Sequence, residues 1–344
     1  MRVVHLLPHA RALGGTERTV IDLLESPQLA HIEQRVAFVQ PGRACGFPPA
    51  KVLGGRAGRV LPGGSLPAIL GWRPHIVHGW LLQGNVLGAA LKPVLRDAVL
   101  VASERHSHAT LGGARPWLER LVARAEDVAT GNSGAVRDAV VRRVPARAES
   151  FRVIYPGVAA PPAMTASSRT SAVMVGRVHP VKDHATALRT WRRVVDRVPS
   201  ATLTIVGGGP GLRPLQRDAR ALGLAATVRF RGDADPAPDL AGAQLFLSTS
   251  RAEGFSRAVV EALAAGVPVV STDVGGIAEI GGDAVRAAPV GDDAALAAHV
   301  LDWLEHPEAL AGAARAARLA ARRFEPARCH EAYARLYAEL VSGA

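Results

Sequence analysis

The chain has 344 residues, 48% of them hydrophobic and 4% aromatic, with a formal net charge of +11. That length and hydrophobic share provide core for two domains of ordinary size, and no run approaches the ~20 apolar residues of a membrane-spanning helix. The charge is almost all arginine, since Lys51, Lys92 and Lys182 are the only lysines, and so few aromatics argue against base stacking on nucleic acid.

Met1 to Leu7 is a short apolar run that soon reaches Gly14-Gly15-Thr16-Glu17; it reads as a first buried strand rather than a signal peptide. After this strand at 2–7, further runs at 35–39, 76–78, 99–102, 127–130 and 152–154 alternate with Ala/Arg/Leu segments of helical period. Continuous hydrophobicity of this kind predicts strands buried on both faces, as in parallel sheets. Residues 159–171 are rich in Ala, Pro, Ser and Thr and read as a linker. A second set of strands is predicted at 172–176, 202–206, 227–230, 244–247 and 268–271. The alternation implies two doubly wound α/β domains, at 1–158 and 159–322. The segment 323–344 reads as a helix, and its Phe324, Tyr333, Leu336 and Tyr337 suit packing back toward the first domain. Cys45 and Cys329 have neither metal-type spacing nor the look of a disulfide framework, which points to a cytoplasmic location. Weak peripheral contact of the basic surface with an anionic membrane stays open.

Ligands of open α/β sheets sit beyond the carboxyl ends of the strands, and several polar or Gly-rich loops follow predicted strands. Gly14 and Gly15 open a helix and let a ligand approach the backbone, although many such turns carry glycine for shape alone. His78, Arg105 and His106 end strands of the first domain in polar loops and are candidates for the acceptor side, although a loop histidine is more often an ordinary surface residue. In the second domain, Arg177 and Lys182 follow a strand after Gly176 and are suited to phosphate oxygens. Gly207 and Gly208 form another turn that a base or ribose can approach, and Arg231 ends the next strand. Neither a Gly-x-Ser-x-Gly elbow nor a phosphate-binding Gly-x4-Gly-Lys-Ser/Thr loop occurs, which counts against serine hydrolases and P-loop enzymes. No zinc spacing and no clear Asp-x-Asp for a nucleotide-bound metal is present, so no metal is expected.

The most informative stretch runs from Ser250 to Val270. Glu253 precedes Gly254, Phe255, Ser256 and Arg257 at a loop-to-helix junction, and Glu261 lies inside the helix, which stops at Gly266. Helix starts favour anions through unpaired amides and the helix dipole. Eight residues of helix rise roughly 12 Å, about the span from a sugar ring across a diphosphate to a ribose. A Glu at a helix start also simply complements the dipole, and a Glu in mid-helix is often solvated; the combination with the upstream loops carries the argument for a nucleotide-sugar site.

With these residues, nearly the whole chain resembles glycosyltransferase family 4, the retaining nucleotide-sugar enzymes of the GT-B fold. The resemblance rests on Glu253 and Glu261 with seven residues between them, Gly176-Arg177 with Lys182, Val206-Gly207-Gly208-Gly209-Pro210, Asn132-Ser133, Ile154-Tyr155-Pro156-Gly157-Val158, Gly232 and Gly14-Gly15-Thr16-Glu17. It implies two Rossmann-like domains facing across a cleft, with the acceptor on the first and an NDP-sugar, UDP-linked as the leading choice, on the second. It also implies that Arg177 and Lys182 bind the donor diphosphate, Glu253 holds sugar hydroxyls and Glu261 holds ribose hydroxyls. Gly14, Gly15, Gly207, Gly208, Arg231, Gly254, Phe255, Ser256 and Arg257 would line the nucleotide, and His106 would act on the acceptor side. The implied reaction is metal-independent transfer with retention, giving an α-glycoside without a bound cofactor. The departures lie at His78-Gly79-Trp80 and Ser103-Glu104-Arg105-His106, where many members carry other histidine patterns. A small metabolite such as an aminocyclitol is one acceptor; a lipid or polysaccharide precursor at the inner membrane face is another. A GT-B phosphorylase and a non-catalytic nucleotide-sugar-binding protein are the alternatives from other classes.

Overall fold

Alternating apolar runs and amphipathic segments build two parallel sheets. The structure is a computed structural model that describes residues 1–9, 14–40, 42–43, 46–53, 55–56, 59–60, 65–105, 115–161 and 170–342. The chain forms two units, Met1–Gly157 with Pro326–Ala344, and Val158–Glu325.

The first unit contains β1 (Arg2–Leu7), α1 (Gly15–Leu24), β2 (Glu33–Phe38), the short β3 (Gly42–Arg43), β4 (Gly55–Arg56) and β5 (Arg59–Val60), then α2 (Ser65–Trp72), β6 (Ile76–Trp80) and α3 (Leu81–Leu91). It continues through β7 (Val99–Glu104), α4 (Arg115–Ala125), β8 (Val128–Gly131), α5 (Gly134–Arg143) and β9 (Phe151–Val153). Its main sheet has the order β2-β1-β6-β7-β8-β9 and is parallel throughout. Side chains alternate across the pleat. Val3 and Leu7 therefore join one apolar cluster and Val4 and Leu6 the other. The small sheet β3-β5-β4 is antiparallel, and the sequence reading did not anticipate it.

The second unit contains β10 (Thr170–Val175), α6 (His184–Arg197), β11 (Leu203–Val206), α7 (Leu212–Ala221), β12 (Val228–Gly232), α8 (Ala237–Gly242) and β13 (Ala243–Ser248). It closes with α9 (Arg257–Ala264), β14 (Val269–Thr272), α10 (Ile277–Gly281), β15 (Val285–Ala288), α11 (Asp293–Glu305) and α12 (Pro307–Ala321). The sheet order is β12-β11-β10-β13-β14-β15, again parallel. Here the winding reverses between β10 and β13. A crevice opens outside the strand ends at such a switch point, so the loops after β10 and β13 are the expected ligand positions. Trp191 and Trp303 fill the core beside Met174, Ile205 and Leu247.

The last helix, α13 (Pro326–Ser342), belongs to the first unit. Cys329, Tyr333, Leu336 and Tyr337 recur at helical spacing and enter the same cluster as Val3 and Leu7.

Candidate active site

The loops after β10, β11 and β12 are laced together by their backbones. Gly176 N donates to Val206 O (2.9 Å), Val178 N to Gly208 O (2.8 Å) and Gly207 N to Gly232 O (2.8 Å). The approach is so close that a Cβ on Gly207 would stand 1.9 Å from Gly176 O. The absence of a side chain at Gly207 thus lets these loops pack, and Arg177 leaves this loop as an exposed side chain. Arg231, at the end of β12, has its Nε 3.4 Å from a carboxylate oxygen of the buried Asp239.

Beyond Arg177, a single 3-10 turn at Pro180–Lys182 leads to Asp183, which adopts a left-handed backbone (φ 47°) and caps α6. Its carboxylate accepts from Thr186 N at 3.3 Å and Thr186 Oγ1 at 2.9 Å. The end of β13 straps this turn in place. Thr249 Oγ1 donates to Lys182 O (3.0 Å) and Asp183 O (2.9 Å), and Arg251 N donates to Val181 O (2.8 Å). The loops flanking the switch point thereby bring together two residues 71 apart in sequence: Lys182 Nζ pairs with Glu253 Oε1. Ser250 Oγ donates to the same oxygen at 2.9 Å. The loop after β14 supports Glu253 from behind. Thr272 Oγ1 donates to Ser250 O (2.6 Å), Gly276 N donates to Gly254 O (3.3 Å), and a Cβ on Gly275 would lie 2.1 Å from Glu253 O.

His184 stands next to this pair and is buried. Its pKa is lowered to about 4, first by burial and then by the Lys182 ammonium. It is therefore neutral at neutral pH and adds no charge beside Lys182.

Helix α9 begins after the buried Gly254, Phe255 and Ser256. The Ser256 side chain makes no capping bond, and no acidic residue occupies the first turn. Phe255 anchors the entry by packing edge-on against Phe324, 5.3 Å between ring centres. Such a helix start suits an anion, and Arg257 occupies its first position. Glu261 lies one turn further along, half-buried. Helix α1 differs. Gly14 and Gly15 are exposed there, but Gly14 N donates to Glu17 Oε2 at 3.0 Å, so that helix start is already answered by its own carboxylate.

In the first unit, the expectation that His78 faces an acceptor is corrected. His78 is fully buried, with Nδ1 2.7 Å from Tyr337 Oη and Nε2 2.7 Å from Ser103 Oγ. Its ring stacks on Trp80 at 4.2 Å. Both nitrogens are satisfied inside the unit, which makes it an interior residue. Arg105 is also buried. His106 lies outside the described residues. The sequence reading gave no role to Asp183, Thr249 or Ser250; only the Asp directly before a helical segment carried a usable signal, that of a cap. Among the described residues, no group of three His, Cys, Asp or Glu side chains is placed to hold a metal ion.

Residues 169–306 match the family described as Glycosyl transferases group 1. This segment is similar to that family over about two-fifths of the chain. It covers most of the second unit, including Lys182, Glu253 and Glu261. The chain is 30% identical over 184 residues to D-inositol 3-phosphate glycosyltransferase of Streptomyces scabiei, covering 46% of this chain and 41% of that protein. It is 39% identical over 123 residues to GDP-mannose-dependent alpha-(1-6)-phosphatidylinositol monomannoside mannosyltransferase of Mycolicibacterium smegmatis, covering 32% of each. This chain thus spans less than half the length of these two relatives. Among solved structures, Anabaena HepE in complex with UDP and glucose superposes with a TM-score of 0.82 at 20% identity, covering 98% of this chain and all of that one. The chain has the GT-B fold of such structures.

Proposed function

We propose that this protein is a retaining glycosyltransferase that moves a sugar from a UDP-linked donor to an acceptor hydroxyl. The observation that carries the reading is the Lys182–Glu253 pair at the β10/β13 switch point of the second unit, beside the start of α9 and within the stretch that matches the group 1 family. Lys182 and Arg177 neutralise the donor diphosphate, aided by the amides at the start of α9. Lys182 exchanges Glu253 for phosphate when the donor enters, and Glu253 turns to the sugar hydroxyls. Glu261 takes the ribose hydroxyls, and Gly207, Gly208 and Arg231 line the base. In the transfer, the bond from the anomeric carbon to the phosphate oxygen breaks and a bond to the acceptor oxygen forms on the same face. The acceptor proton passes to the departing diphosphate, so the α configuration is retained without a protein base or a metal.

UDP is preferred because the similar fold of HepE holds UDP, whereas the name of the mannosyltransferase relative specifies GDP-mannose. Thermal unfolding with UDP, GDP, ADP and dTDP at matched concentration tests the donor. A nucleotide at about a hundred times its Kd stabilises by roughly 2.7 kcal/mol. We expect this rise with UDP, its loss in Lys182→Ala, and its persistence in Glu253→Ala, which transfers no sugar. No rise with any nucleotide, or full turnover by Glu253→Ala, sinks the reading.

For the acceptor we favour a small polyol such as an aminocyclitol, consistent with the inositol phosphate in the name of one relative. A second reading, transfer to a lipid at an anionic membrane, is favoured by α4. That helix exposes Trp117 (64%) and Leu121 (42%) at i, i+4 spacing beside the exposed Arg120 and Arg124. Among the described residues, no helix is long and apolar enough to cross a membrane.

A further inference from the structure

The first unit encloses a cation for which no described residue supplies an anion. Arg105 lies one residue past the end of β7 and is only 6% exposed. Its Nη2 donates to the Tyr333 hydroxyl at 3.2 Å, and its guanidinium sits 4.6 Å over the Trp80 ring. Its Nε is buried and has no hydrogen-bond partner. No carboxylate among the described residues forms an ion pair with it. Glu104, its neighbour in sequence, points away and is held by Arg147 (3.1 Å) and Asn85 (3.2 Å).

The groups around Arg105 are neutral as well. Burial lowers His5 to about 4, and burial together with His5 and Arg105 lowers His78 well below its usual value. Burial raises Tyr333 to about 12 and Tyr337 well above its usual range. Among the described residues, the positive charge thus has no counter-charge in the cluster. A buried cation in that state is strongly destabilising, and a protein that keeps one has a use for it.

A second buried polar atom without a partner lies on the neighbouring strand end. The register of β7 and β8 ends at Glu104 opposite Gly131, so Arg105 and Asn132 occupy the next step on adjacent strand ends. Asn132 is 6% exposed, and its Oδ1 is buried without a partner. Both residues lie at the carboxyl edge of a doubly wound sheet, where ligands bind.

We propose that Arg105 and Asn132 form an anion-reading subsite in the first unit, which takes a phosphate or carboxylate group of the acceptor on the Arg105 guanidinium and a neighbouring hydroxyl on the Asn132 amide. Trp80 and Tyr333 are positioning residues that hold the plane of the guanidinium. The word acceptor rests on the glycosyltransferase reading; the anion subsite does not.

The test uses the full chain saturated with UDP, so that added anions do not compete for Lys182. Tm is followed on titration with inorganic phosphate, glycerol 1-phosphate, glucuronate and neutral glycerol. A saturable rise with a phosphate or carboxylate probe and none with glycerol is expected, and the probes separate the two anions. In Arg105→Met the affinity for that probe falls at least tenfold while the UDP-induced rise is kept. The ligand-free Tm of this variant equals or exceeds that of the parent, because a buried uncompensated charge is gone; an arginine with only a structural role predicts a fall. Arg105→Lys, which keeps the charge without the planar fork, gives an intermediate affinity and serves if the Met variant does not fold. Absence of a saturable response to any anion overturns the proposal, as does an unchanged response in both variants. If UDP fails to bind but the anion response still depends on Arg105, the subsite stands and the glycosyltransferase reading falls.

Discussion

At the scale of single residues, the position of Glu253 is set from behind by a glycine. Gly275 has φ 56°, and a Cβ there would meet Glu253 O at 2.1 Å. Gly275→Ala therefore carries both backbone strain of about 1 kcal/mol or more and a clash that only movement of the Glu253 loop relieves. Gly282 is the control: its φ is 48°, but nothing lies within 4 Å of a Cβ built on it. Both Ala variants should lose stability in urea, and only Gly275→Ala should also lose most of the proposed transfer activity. Equal activities would show that the loop after β14 does not position Glu253. The residues Lys182 and Glu253 were legible in the sequence because charge beside glycine at strand ends is informative. Their joining was not, because Thr249 and Ser250 look like any polar residues that end an apolar strand. His78 misled for a related reason. A histidine at the end of a strand reads as a loop residue, and only the distant Tyr337 shows that it is enclosed.

At the scale of elements, strands buried on both faces announce themselves as unbroken apolar runs, and those predicted were found within a few residues of their positions. The strands that escaped lack that signal. Val285–Ala288 includes Arg286 and two alanines, and each strand of the small antiparallel sheet is two residues long. The packing of α13 depends on a stripe of Cys329, Tyr333, Leu336 and Tyr337 whose helical period was visible, but the polar bonds it makes were not. Tyr337→Phe keeps the ring and removes the hydroxyl from His78, which leaves a buried ring nitrogen without a partner. The expected cost is about 1–3 kcal/mol. Tyr337→Ala adds a cavity and costs about 3–5 kcal/mol. Chemical denaturation measures both, and a Phe variant as stable as the parent would mean that the His78 contact contributes nothing net.

At the scale of the molecule, each unit hides a histidine that resists protonation, and their effects on stability have the same sign. His5 in the first unit and His184 in the second have pKa values lowered from 6.5 to about 4, mainly by burial. In the unfolded chain these groups bind protons below about pH 6.5, while in the folded chain they bind them only near pH 4. The unfolded state therefore holds more protons throughout that window, and stability falls as pH falls through it, by about 1 kcal/mol per pH unit for each histidine. His306 acts in the opposite direction, since the Asp302 carbonyl and carboxylate raise its pKa. That pair is exposed, so screening keeps its effect small. The net expectation is loss of stability in both units between pH 6.5 and 4, beginning before most carboxylates titrate. Urea unfolding at pH 7.5, 6.0 and 5.0 measures it. A midpoint that holds or rises on acidification would mean that His5 and His184 are protonated in the folded protein, and that water reaches rings the packing encloses.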